Sequence, residues 1–266
     1  MKILVLNPFG GTEPNADENL IKVSREDTQI VVENISEVFP LDYNTFRYNL
    51  LKCADGAVER IVKAEKEGYD GVVLSCQCEP GLFDARSVVD IPVVGTLEAS
   101  IHIASVIGKR FSLIAPDRVA GEFEVSLIKE HGLSEKLASM RDIGVTATNL
   151  YPEETPPEVL QKRTIKQAKK CIEEDHAEVL TVGCTILGAI LTKTASDKLA
   201  QEVEVPVIDP MIAGLKQAEM MVDLHQLAGY PIVSRVGYLR AQPEQEYKEL
   251  RDWLINHKSP IQKYNE

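Results

Sequence analysis

Two cysteines stand at matching corners of this sequence, each just beyond a short apolar run. Cys76 follows the run in "GVVLSCQCEP", and Cys184 follows the run in "EVLTVGCTILG". A thiolate can serve as a general base and a thiol as a general acid. Two such groups on opposite faces of a carbon stereocentre invert it, because one removes a proton and the other returns one. The pair predicts an isomerase that needs no metal and no redox cofactor.

The segments around the two cysteines follow the same order. In both halves an acidic residue, Asp70 or Glu178, precedes the cysteine by six positions. A helical pattern and then a stretch of the type Val/Ile-Pro-Val follow each cysteine. One interpretation is that βαβ units resemble one another in general. The other, which we favour, is that the chain forms two similar lobes, each of which presents one thiol.

The apolar runs are short and rich in β-branched residues, and turn residues follow them. Continuous apolar strands that alternate with amphipathic helices are typical of parallel sheets covered on both faces. We therefore predict an α/β fold. The predicted strands are "KILVLNP", "YDGVVLSC", "IPVVGT", "RFSLIAPD", "AEVLTVGC" and "VPVIDP". The predicted helices include residues 49–68, 98–107, 157–175 and 186–201.

Composition narrows the classes of partner. The formal charge of −12 and the pI of about 5.0 disfavour nucleic acid, because a negative field repels phosphate. No apolar run approaches the length of a membrane span, and the opening "MKILVLNPFGG" is expected to be a first strand rather than a signal peptide. Five cysteines fit a reducing cytoplasm better than a disulfide framework. A small molecule is the expected partner.

Several other groups have competing interpretations. The Cys-x-Cys of residues 76–78 could suggest a metal or redox pair, but no second pair lies at zinc spacing. The turn "NPFGGT" lacks the glycine spacing of a phosphate-binding loop. Glu98 and His102 are expected to form a local surface pair, and His131 and His176 to be solvated. The stretch "EYKELRDWLI", which contains Trp253, predicts a final amphipathic helix that completes the core or a subunit contact.

The sequence also resembles the aspartate/glutamate/hydantoin racemase superfamily over nearly its whole length. "KILVLNP" is similar to the opening strand of hydantoin and allantoin racemases. "SCQCEPGLFDAR" resembles their first cysteine motif, Cys-x-x-Asp/Glu-Pro-Gly-Leu, which selects Cys76 rather than Cys78. "AEVLTVGCTILG" resembles the second motif and selects Cys184. "IPVVGTLEASIHIAS", "RFSLIAP" and "GYPIVSRVGYLRAQP" resemble further family stretches.

The resemblance implies two Rossmann-like (flavodoxin-like) lobes related by a pseudo-twofold, with the active site in the cleft between them. It implies a first lobe of residues 1–96 plus 207–266 and an inserted second lobe of residues 97–206. Cys76 and Cys184 would each deprotonate one enantiomer. The substrate would be held by backbone N–H groups beside the cysteines and by Asn7, Gln77, Gly183 and Thr185. A homo-oligomer is expected.

The choice of substrate stays open at this point. Hydantoin racemases usually read Asn-Pro-Asn-Thr/Ser after the first strand, whereas this chain places Phe9 and two glycines there. "GCTIL" is closer to the aspartate and glutamate racemases. Alternatives are therefore an aspartate/glutamate racemase, a maleate-type cis–trans isomerase, or a ligand-binding protein without turnover. Arylmalonate decarboxylase relatives lack the first cysteine, so Cys76 argues against decarboxylation.

Overall fold

The structure is a computed structural model that describes residues 1–9, 16–35, 46–194, 199, 202–240, 246 and 249. Within these residues the chain forms two four-stranded sheets, and every strand pairing is parallel. The predicted α/β fold with two similar lobes is confirmed. No helix in the described part has the length and apolar character needed to cross a bilayer. Of the stretch expected to form a helix around Trp253, residues 246 and 249 are helical, and Trp253 itself lies outside the described residues.

The first sheet has the strand order β2-β1-β3-β4. Its strands and the helices that follow them are, in chain order, β1 (Lys2–Asn7), α1 (Ala16–Val23), β2 (Gln29–Asn34), α2 (Arg47–Lys66), β3 (Gly71–Leu74), α3 (Leu82–Val88), β4 (Val93–Gly95) and α4 (Thr96–Ile107). The predicted strands at β1, β3 and β4 are confirmed. Sequence analysis did not find β2, which is half-buried at the edge of the sheet.

The second sheet repeats this topology with the order β6-β5-β7-β8. Its elements are β5 (Phe111–Ala115), α5 (Arg118–Glu130), β6 (Leu137–Asp142), α6 (Pro157–Glu173), β7 (Val179–Val182), α7 (Thr185–Thr194), β8 (Val207–Ile208) and α8 (Pro210–Gln226). The strands predicted at β5, β7 and β8 are confirmed. The edge strand β6 was again missed.

Hydrogen bonds account for the repeated acidic residue of the sequence. The side chain of Asp70 accepts from the backbone N–H of Lys2 at 2.6 Å, and its own N–H donates to the carbonyl of Lys2 at 2.8 Å. In the second sheet, Glu178 accepts from the N–H of Lys109 at 2.7 Å and donates its N–H to the carbonyl of Arg110 at 3.0 Å. Each acidic residue therefore joins the start of the cysteine-bearing strand to the start of its neighbour.

Alternate residues of each central strand pack on opposite faces, as the pleat requires. In β1, Leu4 and Leu6 pack against α2 and α3, whereas Ile3 and Val5 pack against α8. All four side chains are fully buried. The continuous apolar runs of the sequence therefore reflect strands with helices on both faces.

Helices α4 and α8 cross between the two sheets. Helix α4 follows the last strand of the first sheet, yet its buried face, including Leu97 and Ile101, packs against β5 and β7 of the second. Helix α8 follows the last strand of the second sheet, and its Leu215 and Ala218 pack against β1 and β3 of the first. The two helices also pack on each other.

The division of the chain into lobes of residues 1–96 plus 207–266 and 97–206 stays a prediction. The strand pairing adds one detail. Val207 pairs with Leu180 and Ile208 with Thr181, so β8 belongs to the second sheet. The return to the first sheet therefore comes after Ile208, because only then does the chain leave the pairing with β7.

Helix α8 packs too closely for a side chain at Gly214. A Cβ added there would lie 2.9 Å from Cγ1 of Val73 and 3.0 Å from Cγ2 of Thr96. We expect Gly214→Ala to lower the free energy of unfolding by about 1–3 kcal/mol through overpacking, measured by urea denaturation.

Gly56 of α2 provides the matched control for this substitution. A Cβ at Gly56 would lie 3.6 Å from Ile35, which is an ordinary contact. Gly56→Ala should therefore stabilise the protein by about 0.5–1 kcal/mol, as helix propensity dictates. Equal stabilisation by both substitutions would contradict the tight packing of α8.

Candidate active site

A cavity lies at the carboxyl ends of the central strands of both sheets, where parallel α/β folds bind ligands. It is partly open to solvent. Side chains from both sheets line it. They are Asn7, Phe9, Ser75, Cys76, Gln77, Cys78, Pro116, Ala120, Glu124, Ala147, Gly183, Cys184, Thr185 and Ile186.

The structure brings both predicted cysteines to this one cavity. Cys76 is the second residue beyond β3, and Cys184 is the second residue beyond β7. The preceding residues are held alike, since Ser75 and Gly183 each donate the backbone N–H to the neighbouring central strand at 2.8 Å. The repeated topology therefore delivers one thiol from each lobe to the same space.

The surroundings of the two sulfur atoms differ. Cys184 directly precedes α7, and its carbonyl accepts the N–H of Gly188 at 2.8 Å, so its side chain lies at the positive end of a helix. Cys76 lies in an irregular loop, where the backbone N–H of Cys78 points at its Sγ at 3.3 Å. Either arrangement stabilises negative charge on sulfur. A helix therefore begins directly after Cys184, whereas the helix that follows Cys76, α3, begins only at Leu82.

Cys78 also lines the cavity, although the resemblance selects Cys76 rather than Cys78 for the catalytic role. Its interaction with Cys76, its burial and the nearby Glu124 and Cys184 hold the pKa of Cys78 well above its ordinary value. This thiol therefore stays protonated near neutral pH. Its backbone N–H, rather than its sulfur, interacts with the sulfur atom of Cys76.

The four predicted binding residues Asn7, Gln77, Gly183 and Thr185 all line the cavity. Asn7 accepts the N–H of Phe9 through Oδ1 at 3.1 Å, which shapes the turn after β1. Gln77 is buried, and both its amide oxygen and its amide nitrogen lack a hydrogen-bond partner among the described residues. A buried amide in this state is ready to bind a ligand that both donates and accepts.

Phe9 stands where hydantoin racemases usually have a polar residue, and it gives the cavity an apolar side. Its side chain is buried and packs with Leu50 and Cys53, close to Cys76 and Phe123. The first strand therefore supplies the cavity with one polar group, Asn7, followed by a hydrophobic one.

Sequence analysis missed Glu124. It lies on the buried face of α5 together with Ala120 and Ile128, is 1% exposed, and its Oε2 has no hydrogen-bond partner among the described residues. The only signal in the sequence was an acidic residue at the four-residue spacing of an apolar stripe. Burial, followed by the charges of Cys76, Asp117 and Glu79, raises the pKa of Glu124 well above its usual range.

Glu79 bonds the Cys76 loop to helix α4 and to His131. It is buried and adopts a left-handed backbone conformation with φ of 46°. Its Oε1 accepts the N–H of Glu98 in the first turn of α4 at 2.7 Å, and its Oε2 contacts Nε2 of His131 at 2.9 Å. A side chain at Gly95 would collide with this carboxylate, since an added Cβ would lie 2.0 Å from Oε1.

Two expectations about histidines require correction. His131 is not solvated: its side chain is 4% exposed because it fills the space between Glu79 and Phe83. Glu98 forms its ion pair with Arg86 rather than with His102. The partners are distant in sequence, so local spacing could not identify them. His176 is exposed as expected.

The described lining of the cavity contains no lysine and no arginine. Its ionisable side chains are three thiols and the carboxyl group of Glu124. Among the described residues there is also no group of three or more His, Cys, Asp or Glu side chains placed to hold a metal ion.

The chain is similar to several known racemases. The family model described as Asp/Glu/Hydantoin racemase matches residues 19–218. A hydantoin racemase from Pseudomonas sp. (strain NS671) is 33% identical over 227 residues, which cover 84% of this chain and 87% of that protein. An allantoin racemase from Klebsiella pneumoniae superposes with a TM-score of 0.76 at 24% identity, covering 92% of this chain and 94% of that one. The allantoin racemase from Pseudomonas fluorescens gives 0.77 at 24% identity, with coverages of 92% and 98%.

The pair of Glu79 and His131 generates a prediction about pH. Burial lowers the pKa of His131, but the hydrogen bond and charge of Glu79 outweigh it, and the pKa is raised above its ordinary value of 6.5. A raised folded-state pKa adds stability that is full below the unfolded-state pKa and is lost as pH rises through the folded-state pKa. We expect His131→Gln to cost about 3 kcal/mol at pH 6 and distinctly less at pH 9, measured by urea unfolding.

His176→Asn is the control for this experiment. The residue is exposed and has φ of 60°, a conformation that Asn tolerates. This substitution should change the free energy of unfolding little at either pH. A cost of His131→Gln that does not vary between the two pH values would contradict the charged pair.

Proposed function

We propose that this chain, which belongs to the Asp/Glu/hydantoin racemase family and is therefore a racemase, inverts a carbon stereocentre of a hydantoin-type ring with Cys76 and Cys184 as its acid–base pair. The observation that carries the proposal is the arrival of both thiols, from equivalent corners of two sheets, at one cavity. Inversion requires a proton acceptor on one face of the carbon and a proton donor on the other.

The reaction then proceeds by two proton transfers. One cysteine, as the thiolate, takes the proton from the stereocentre, and the electron pair of the broken C–H bond moves onto the adjacent carbonyl. The other cysteine, as the thiol, gives its proton to the opposite face of the carbon. The two cysteines exchange roles when the opposite enantiomer reacts, so no net proton is consumed.

The protein supplies different support for charge on each thiolate. The start of α7 faces Cys184, and the N–H of Cys78 faces Cys76. The raised pKa of Cys78 makes it a poor proton acceptor, so we assign the acid–base pair to Cys76 and Cys184. Its role is to hold the loop and to supply that N–H.

The chemistry of the lining favours a neutral ring over a free amino acid. Aspartate and glutamate carry carboxylate and ammonium charges, and a buried charge needs a partner. The described lining offers no cation for a carboxylate. A hydantoin ring instead presents neutral N–H and C=O groups, which match the unpartnered amide of Gln77. The similar proteins named as hydantoin and allantoin racemases support the same choice.

Two further statements stay predictions from sequence. We infer a cytoplasmic location from the low and odd number of cysteines. We also infer a homo-oligomer, to be tested by size-exclusion chromatography with light scattering. Neither affects the acid–base chemistry.

The assignment of the cysteines is tested by three serine substitutions. Cys76→Ser and Cys184→Ser should each abolish racemisation of a 5-substituted hydantoin, because a hydroxyl of much higher pKa replaces the acid–base thiol. Cys78→Ser should keep most of the activity, since its backbone N–H remains. Loss of optical rotation is measured by polarimetry.

Solvent deuterium exchange sharpens this test. Each inactive variant should still exchange the ring proton of the enantiomer that faces its remaining cysteine, and not that of the other, as followed by NMR. Equal activity in all three variants, or exchange of both enantiomers in a single variant, would rule out the two-sided pair.

A substrate panel separates the neutral ring from the alternatives. We expect turnover of 5-substituted hydantoins or allantoin and none of aspartate, glutamate or maleate, because the charged acids lack a cationic partner in the described lining. Polarimetry follows the chiral compounds and NMR follows maleate. Racemisation of aspartate or glutamate alone would overturn the choice of ring, and tight ligand binding with no turnover of any compound would favour a binding protein.

A further inference from the structure

Glu124 is the one acidic side chain of the described lining, and it is held against Gly183. An added Cβ at Gly183 would lie 2.2 Å from Oε2 of Glu124. Any residue larger than glycine directly before Cys184 would therefore displace the carboxyl group. Gly183 thus lets this carboxyl group lie against the backbone that leads into Cys184.

No contact among the described residues offsets the cost of burying the Glu124 carboxyl group. Its Oε2 has no hydrogen-bond partner among the described residues, and the groups that act on it electrostatically are Cys76, Asp117 and Glu79, all of which disfavour negative charge. Burial is the larger effect, and together these effects raise the pKa of Glu124 well above its usual range, which favours the neutral acid. A neutral acid carries an O–H donor, and a buried donor without an acceptor destabilises the protein.

We propose that Glu124 is a further catalytic residue, whose carboxylic acid donates a hydrogen bond to the substrate carbonyl adjacent to the carbon that inverts. The inference rests on the proposed function, since it assigns the oxygen on which negative charge develops. A neutral carboxylic acid in an apolar site is a known donor to such an oxygen.

The proton of Glu124 is not transferred in this step. The C–H bond of the stereocentre breaks, its proton passes to the thiolate, and its electron pair moves to the carbonyl oxygen. The hydrogen bond from Glu124 to that oxygen shortens as charge builds, and it relaxes when the opposite thiol returns a proton to carbon. Glu124 therefore serves both directions of the reaction equally.

Three variants test the proposal on 5-substituted hydantoin of each hand. Glu124→Gln keeps a neutral donor of nearly the same shape, whereas Glu124→Met keeps the volume and removes the donor. Glu122→Gln on the same helix is the control, because Glu122 is exposed and pairs only with Arg118 among the described residues. Cys76→Ser and Cys184→Ser, assayed in parallel, report on the proposed function itself.

We expect Glu124→Met to lower kcat by about 10²–10³-fold with a smaller change in KM, as for the loss of one oxyanion donor. Its Tm should be equal to or above that of the wild type, because a buried unpartnered polar group has been removed. Glu124→Gln should keep kcat within about tenfold. Glu122→Gln should match the wild type in both measurements.

Two outcomes overturn the assignment while the cysteine variants behave as proposed. One is wild-type kcat in Glu124→Met. The other is a joint loss of Tm and activity in both Glu124 variants, which marks a structural role. If the wild type turns over no ring substrate, the proposed function fails, and Glu124 is then judged by spectroscopy alone.

Infrared difference spectroscopy gives that independent measurement. Unsubstituted hydantoin, an achiral ring with the same carbonyl, is bound to the wild type and to Glu124→Gln. The wild type should show the band of a protonated carboxyl group, absent from Glu124→Gln, and the band should shift when the ring binds. A band that is missing, or that does not move on binding, contradicts the inference.

Discussion

Helices α4 and α8 each leave the last strand of one sheet and pack on the other, and this crossed packing fixes the two sheets against each other. The contact at Gly214 leaves no space for a methyl group beside Val73 and Thr96. Since the cysteines follow β3 and β7, their separation depends on how the sheets are held. The site is therefore a property of the interface between the lobes rather than of either lobe.

The starts of these two helices are satisfied in unlike ways, and the difference reaches the active site. Asp209 caps α8 with its own side chain, accepting the N–H groups of Met211 and Ile212. Helix α4 follows Gly95, and the N–H of Glu98 in its first turn donates to the carboxylate of Glu79, which belongs to the Cys76 loop. The loop that carries the first thiol is thereby bonded to the helix that joins the lobes. His131, at the end of α5, contacts the other oxygen of the same Glu79 carboxylate.

Most strands of both sheets and both thiols could be predicted from the sequence. Buried parallel strands appear there as continuous apolar runs, and the two cysteines follow the ends of such runs. The sequence did not reveal the edge strands β2 and β6, whose residues are half-exposed and lack that pattern. Glu124 and His131 were hidden for a different reason. Their environments are made by residues far away in the chain, so neither spacing nor composition could indicate that they are buried.

The unlike supports of the two sulfur atoms have a thermodynamic consequence. Mirror-image substrates in water have equal free energies, so the equilibrium constant of a racemisation is unity. The Haldane relation then requires kcat/KM to be the same for both hands, however different a helix start and a loop N–H are as partners of a thiolate. In the proposed mechanism, the asymmetry between Cys184 and Cys76 can appear only as compensating differences in kcat and KM.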